Sequence, residues 1–359
     1  YDFFYCTNRI PLKICSLTFF LKIIFFYTPA ALVMSPVIFL SNSLLREEAI
    51  IAWLKFFAWK NFISVFNLKF YLSYHNYTSD HIYRNILLKK ISCSSIMYKH
   101  THCENVFDYK NRDRYAHVDQ MHLYYDIEYH WSKCSIEMTK SNKSKSKEFL
   151  VSGPIWSSKA ITTKKHVTNN KPDEISIALF STAFSGFTAV NSIESHEKFL
   201  VLASEIIKKY PNINILFKPK SDIKIYEENK NTKILIKSLL SLNNFKPIDN
   251  STFSNKIIRA VDVVISMPFA SSGIEAMCLG IKSFYVDSLN VYKNSYFDNF
   301  KNLVSHSNES ALENLKYWMK TDREKVPLMY EEIFQDMGLK ETDKAIEIIR
   351  NKIINEVVA

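Results

Sequence analysis

Glycine is scarce in this chain, with only five in 359 residues, so each one is expected to answer a local demand for a positive φ or a close backbone approach. Cysteine is also sparse. The six, at positions 6, 15, 93, 103, 134 and 278, form no C-x-x-C pair and no regular framework, which argues against a disulfide scaffold or a zinc ribbon and for a reduced, cytoplasmic compartment. His100, His102 and Cys103 lie close together without a fourth ligand, so no metal is expected. No arginine-rich cluster or RNA-binding motif is present and the lysines are dispersed, which argues against a nucleic-acid partner. No internal repeat is visible, and no small-residue cleavage site follows the first apolar stretch, which argues against a signal peptide. That stretch, Ile14 to Leu40, is long enough to span a bilayer, but Lys22, Pro29 and Pro36 interrupt it. A buried strand or a short membrane-facing helix is the expectation there, with a first element that is incomplete at Tyr1.

The content that is present is that of a folded protein: 47% of residues are hydrophobic, and the length favours two domains over one core. Net charge +10 and a pI near 9.1 favour anionic partners, such as nucleotides, phosphorylated lipid carriers and anionic membrane surfaces. Leu44 to Phe57 has helical spacing of Leu44, Leu45, Ile50, Ile51, Leu54 and Phe57. Phe66 to Tyr74 and Ser94 to Lys99 resemble strands, with a helix from Asp80 to Lys90 between them. Glu148 to Ser152 resembles a strand ending at Gly153-Pro154, and the polar run that follows is the best domain boundary.

Beyond it strands and helices alternate: strand Ile175 to Phe180, helix His196 to Tyr210, strand Ile213 to Lys218, helix Lys233 to Leu242, helix Ser254 to Ala260, strand Val261 to Ser266, helix Ser272 to Leu279 and strand Lys282 to Val286. That rhythm predicts a parallel sheet covered on both faces, with ligands beyond the carboxyl ends of its strands. Those ends carry Ser181-Thr182, Lys218-Pro219-Lys220 and Ser271-Ser272-Gly273, which are small, hydroxylic or basic. The turn before Ser272 aims helix N–H groups and the positive end of the helix dipole above the sheet, a generic way to hold phosphate.

These landmarks, in this order, resemble the GT-B glycosyltransferases, and especially bacterial surface-polysaccharide and capsule biosynthesis proteins of that fold. Phe149-Leu150-Val151-Ser152-Gly153-Pro154 is similar to the strand and turn that end the first domain, and Ile215-Leu216-Phe217-Lys218-Pro219-Lys220 to the Lys-Pro-His strand. Ala260 to Ser266, followed by Ser271-Ser272-Gly273-Ile274-Glu275-Ala276, is similar to the donor-binding strand and helix. The resemblance implies an α/β protein with two Rossmann-like domains facing a cleft: an acceptor-side domain over 1–154, a linker over 155–174, a donor-binding domain over 175–314, and C-terminal helices over 315–359 that pack back on the first domain.

On that resemblance the chain moves a sugar from a nucleotide-sugar donor to a glycan or lipid-linked acceptor at the inner face of the membrane, with no cofactor. Ser181, Thr182, Lys218, Lys220, Ser271, Ser272 and Gly273 would hold the donor, and Glu275 would accept from a ribose or sugar hydroxyl. His100 or His102, unranked, would be the base, with Asp80, Asp119 and Glu104 as fallbacks. Retaining members commonly carry a second glutamate eight positions after the first; Ser283 stands there, so inversion is expected. Lys220 replaces the histidine of the Lys-Pro-His turn. A CDP-polyol phosphotransferase of the teichoic-acid type, a nucleotide-sugar 2-epimerase and a non-catalytic assembly partner remain the alternatives.

Overall fold

The computed structural model describes residues 21, 25, 43–66, 68–74, 80–99, 123–158, 175–184, 189–268, 270–339 and 343–358. His100, His102, Glu104, Asp119, Gly186, Phe269, the polar stretch 159–174 and nearly all of 14–40 lie outside them. Among the described residues no helix is long and apolar enough to cross a membrane.

The amino-terminal part begins with helix α1 (Ser43–Val65), followed by strand β1 (Phe70–Ser73), helix α2 (Asp80–Lys90), strand β2 (Ser94–Tyr98), strand β3 (Ile127–His130), helix α3 (Lys133–Ser141) and strand β4 (Glu148–Val151). The four strands form one sheet in the order β1-β2-β3-β4, with β1 and β2 parallel. Helix α1 runs eight residues beyond its expected end because Trp59, Phe62 and Ile63 keep the three-to-four spacing. Phe62 and Ile63 join Leu87, Leu88 and Cys93 in a buried cluster, with Trp59 and Phe66 packed against it. Strand β1 is correspondingly shorter than expected: the Phe66 N–H donates to Phe62 O and continues the helical turn instead.

The carboxyl-terminal sheet is built from strands β5 (Ile175–Phe180), β6 (Ile213–Lys218), β7 (Phe245–Pro247), β8 (Val263–Ser266), β9 (Lys282–Val286) and β10 (Val304–Ser305). Between and after them run helices α4 (Ile193–Lys209), α5 (Lys230–Leu240), α6 (Ser254–Ile258), α7 (Ser272–Cys278), α8 (Asn308–Lys320), α9 (Val326–Met337) and α10 (Ala345–Val358). The strand order is β10-β9-β8-β5-β6-β7, with every pairing parallel. The chain therefore starts in the middle at β5, winds out to β7, returns to β8 beside β5, and winds out the other way. This is the doubly wound order, and its topological switch point lies between the carboxyl ends of β5 and β8. Runs such as Ile177-Ala178-Leu179 and Val263-Val264-Ile265 are buried on both faces, as strands in a covered parallel sheet require.

Local chemistry sets the boundaries. Asp262 brings β5 and β8 into register: its carboxylate accepts from the Ser176 N–H (2.9 Å) and its own N–H donates to Ser176 O (2.8 Å), so β8 starts at Val263 rather than Val261. Asn229 accepts from the N–H groups of Asn231 and Thr232, which starts α5 three residues before its expected first turn. Ser192 caps α4 by accepting from the Ser195 N–H, which also moves that start upstream. Strands β7 and β10 are not in the sequence expectation.

Contacts divide the chain into two compact units. The described residues of the first run to Tyr98 and then take in 123–128 and 142–149; the second holds Lys99, 129–141, 150–158 and everything described from Ile175 onward. Within the second unit, Gly338 ends α9 in the left-handed conformation (φ 64°); a Cβ there would lie 2.7 Å from the Lys133 side chain, and the Lys133 main-chain N–H donates to Gly338 O at 3.4 Å. Gly338→Ala is expected to destabilise the protein by about 2 kcal/mol, through left-handed strain plus the clash, read as a lower urea midpoint at unchanged slope.

Candidate functional site

The carboxyl edge of the second sheet carries a row of polar side chains. Beyond β5 stand Ser181 and Thr182, both buried. Ser181 Oγ accepts from the Tyr226 hydroxyl (3.0 Å), and Thr182 Oγ1 has only long contacts, to Val190 O (3.4 Å) and Met267 Sδ (3.9 Å). At the end of β8, Ser266 Oγ meets Ser272 Oγ at 3.1 Å in a buried pair that ties the strand to the start of α7. Ser271 precedes the helix, and its side chain makes no capping bond.

Gly273 meets its demand for close approach inside the protein. Its φ is not in the left-handed region; instead a Cβ would lie 2.3 Å from Tyr285 Cζ. The Tyr285 phenol occupies that space, accepting from the Ile274 N–H (3.1 Å) and donating to Ala270 O (3.1 Å). One of the helix N–H groups expected to face a phosphate is thus already satisfied by a strand β9 side chain. Ser283, eight positions after Glu275, lies within β9, and its N–H donates to the Tyr330 hydroxyl (2.7 Å).

Glu275, one turn into α7, is 7% exposed, and burial alone pushes its carboxyl up to about 7. No group among the described residues hydrogen-bonds that carboxyl. A carboxyl held this way can donate a hydrogen bond while protonated and accept one once ionised, and its place at a switch point makes it a site candidate.

Lys218, the last residue of β6, is buried and donates to Asn250 O (2.6 Å) and Pro219 O (3.3 Å), which among the described residues leaves one N–H uncommitted. Burial lowers its pKa, and the Asp249 carboxylate opposes that shift. Lys220 is exposed two residues on.

Two groups at this edge escaped sequence reasoning. After β9 comes the buried Asp287, and after β10 comes His306. The His306 Nε2 contacts Asp298 Oδ1 at 2.6 Å, and its Nδ1 lies 3.4 Å from Asp287 Oδ2, an ion-pair distance whose alignment falls short of a hydrogen bond. Asp287 first, then Asp298, hold the imidazolium above the usual histidine range against its burial. The other group is His196 with Tyr226, behind Ser181. No spacing in the sequence joins these residues; only the strand order does. Among the described residues no cluster of three or more His, Cys, Asp or Glu has the geometry to hold a metal ion.

A carboxyl that binds its proton more tightly in the folded state destabilises the fold once it must ionise. Between the unfolded value of 4.5 and the folded value of about 7 the native state carries the extra proton, so stability falls as pH rises through that window. The loss from this group is expected to be about 3 kcal/mol. Glu275→Gln should remove it, so the difference in unfolding free energy between variant and parent should grow from pH 4.5 to 7 and level off above.

Solved structures share this fold. S. aureus MnaA with UDP superposes with a TM-score of 0.56 at 11% identity, covering 89% of this chain and 84% of that one. The UDP-GlcNAc 2-epimerase of Neisseria meningitidis, bound to UDP-GlcNAc, gives 0.52 at 12% identity, with 85% and 81% covered. A CDPG-soaked H444N variant of the wall teichoic acid polymerase TagF gives 0.50 at 14% identity, with 80% and 72% covered. The protein therefore has a GT-B-like α/β fold with two Rossmann-like domains. None of the curated protein sequences matches the chain. The family model described as "Polysaccharide biosynthesis PFTS motif protein" matches residues 19–318. The sequence has a single Pro-Phe pair, in Pro268-Phe269-Ala270-Ser271, the turn between β8 and α7, where alanine stands at the third place of a Pro-Phe-Thr-Ser pattern. With that model matched over most of its length, the chain belongs to the polysaccharide biosynthesis PFTS motif family.

Proposed function

We propose that this chain is a glycosyltransferase that moves a sugar from a nucleotide-sugar donor to a surface polysaccharide or its lipid-linked precursor. The observation that carries the reading is the Glu275 carboxyl, buried one turn into the helix that follows the central strand β8 and without a hydrogen-bond partner among the described residues. Ribose hydroxyls would supply the donors it lacks. Ser181, Thr182, Ser271, Ser272, Lys220 and the remaining N–H of Lys218 stand along the same edge, where the diphosphate of such a donor would lie. Sugar transfer leaves a nucleoside diphosphate with growing negative charge. Fixed hydroxyl and ammonium donors stabilise that charge more in the transition state than in the intact donor.

Family membership supports the acceptor class, and the UDP and UDP-GlcNAc bound to similarly folded proteins support a uridine nucleotide. In this proposal one of His100 and His102 takes the acceptor proton, the transfer inverts, and no metal takes part. The net charge of +10 favours work against an anionic membrane surface, at its cytoplasmic face.

Calorimetric titration with UDP, GDP, CMP and CDP tests the donor site. UDP is expected to bind, and Glu275→Gln to weaken it about tenfold through one lost hydrogen bond to a charged acceptor. Binding of CDP alone would move the reading to a CDP-polyol phosphotransferase, and binding of none to a non-catalytic assembly partner. In a transfer assay with a chelator present, one of His100→Ala and His102→Ala is expected to lower kcat by about 10²-fold or more, and a transfer unaffected by both would remove histidine from the base role.

A further inference from the structure

Behind Ser181 three buried side chains from three separate segments form a line. Ser181 follows β5; Tyr226 sits on the 3-10 turn Ile223–Glu227 after β6; His196 is in the first turn of α4. His196 Nδ1 lies 2.8 Å from the Tyr226 hydroxyl, which donates to Ser181 Oγ at 3.0 Å. Both His196 and Tyr226 are 1% exposed. The tyrosine ring packs among Phe184, His196 and Phe217, and Thr232 Oγ1 holds its main chain by donating to Tyr226 O (2.6 Å).

The proton bookkeeping of this line runs one way. Burial pushes His196 down to about 4, so the ring is neutral at physiological pH and carries one N–H. The Tyr226 hydroxyl has one proton and donates it to Ser181 Oγ, so toward His196 it accepts: Nδ1 is assigned the ring proton, and Nε2 lies 3.4 Å from Ala183 O. Tyr226 then donates to Ser181, whose own proton has, among the described residues, only Thr182 O at 3.3 Å. Phenylalanine would fill the Tyr226 pocket without burying a hydroxyl, and burying paired polar groups adds little net stability. What the tyrosine hydroxyl adds over a phenylalanine is the orientation of Ser181 Oγ.

We infer that His196 and Tyr226 are positioning residues that fix the Ser181 hydroxyl as a hydrogen-bond donor to the diphosphate of the nucleotide ligand. The inference rests on the donor-site reading above. Ser181 would be the direct contact; the other two act through it.

Calorimetry with UDP on the full chain, alongside thermal unfolding, tests this. Parent protein that binds none of UDP, CDP and GDP would overturn the donor-site reading, and the inference with it. Given binding by the parent, Tyr226→Phe is expected to weaken UDP about tenfold, Ser181→Ala by the same factor, and the double variant no further than either single one. His196→Asn keeps a donor near the Nδ1 position and is expected to retain most of the affinity that His196→Leu loses, which reads the same line where Tyr226→Phe does not fold. Tyr226→Phe binding UDP as the parent does, single effects that simply add, or equal affinity in His196→Asn and His196→Leu would overturn the inference, whatever happens to the melting temperature.

Discussion

The candidate site depends on one phenol. Tyr285 points from β9 under the turn that joins β8 to α7, and its hydroxyl bridges Ala270 O and the Ile274 N–H. The bridge fixes where α7 begins, and so where Glu275 stands, and it leaves room for nothing larger than the hydrogen of Gly273. The Ser266–Ser272 pair fastens the other side of the same turn. Two adjacent strands, β8 and β9, thus contribute to one small corner. Its precision comes from their parallel register rather than from the turn residues alone.

Much of this architecture is legible in the sequence because parallel strands buried on both faces read as short apolar runs between amphipathic helices. Ile175 to Phe180, Ile213 to Lys218 and Lys282 to Val286 are such runs, and all three are strands at those boundaries. The edges were not legible. Strand β7 is three residues ending in proline and β10 is two, too short for any periodicity. The helix boundaries drifted where capping decided them, as at Asn229 and Ser192.

The site divides in the same way. Ser271, Ser272 and Glu275 could be read because they follow one another along a strand, turn and helix. His196, Tyr226, Asp287 and His306 could not, since their proximity follows from a strand order that no local spacing encodes. Gly273 shows a further limit. Its smallness was readable, but its reason is a neighbour in three dimensions: Tyr285, twelve residues on.

The two short edge strands also protect the sheet. A six-stranded parallel sheet with long exposed edges would be a template for adding further strands. Here one border ends in Pro247, which has no N–H to offer, and the other stops after Ser305, where the His306 side chain, gripped by Asp298, follows at once. Strongly apolar central strands are thus combined in this sheet with edges that offer little to a further strand.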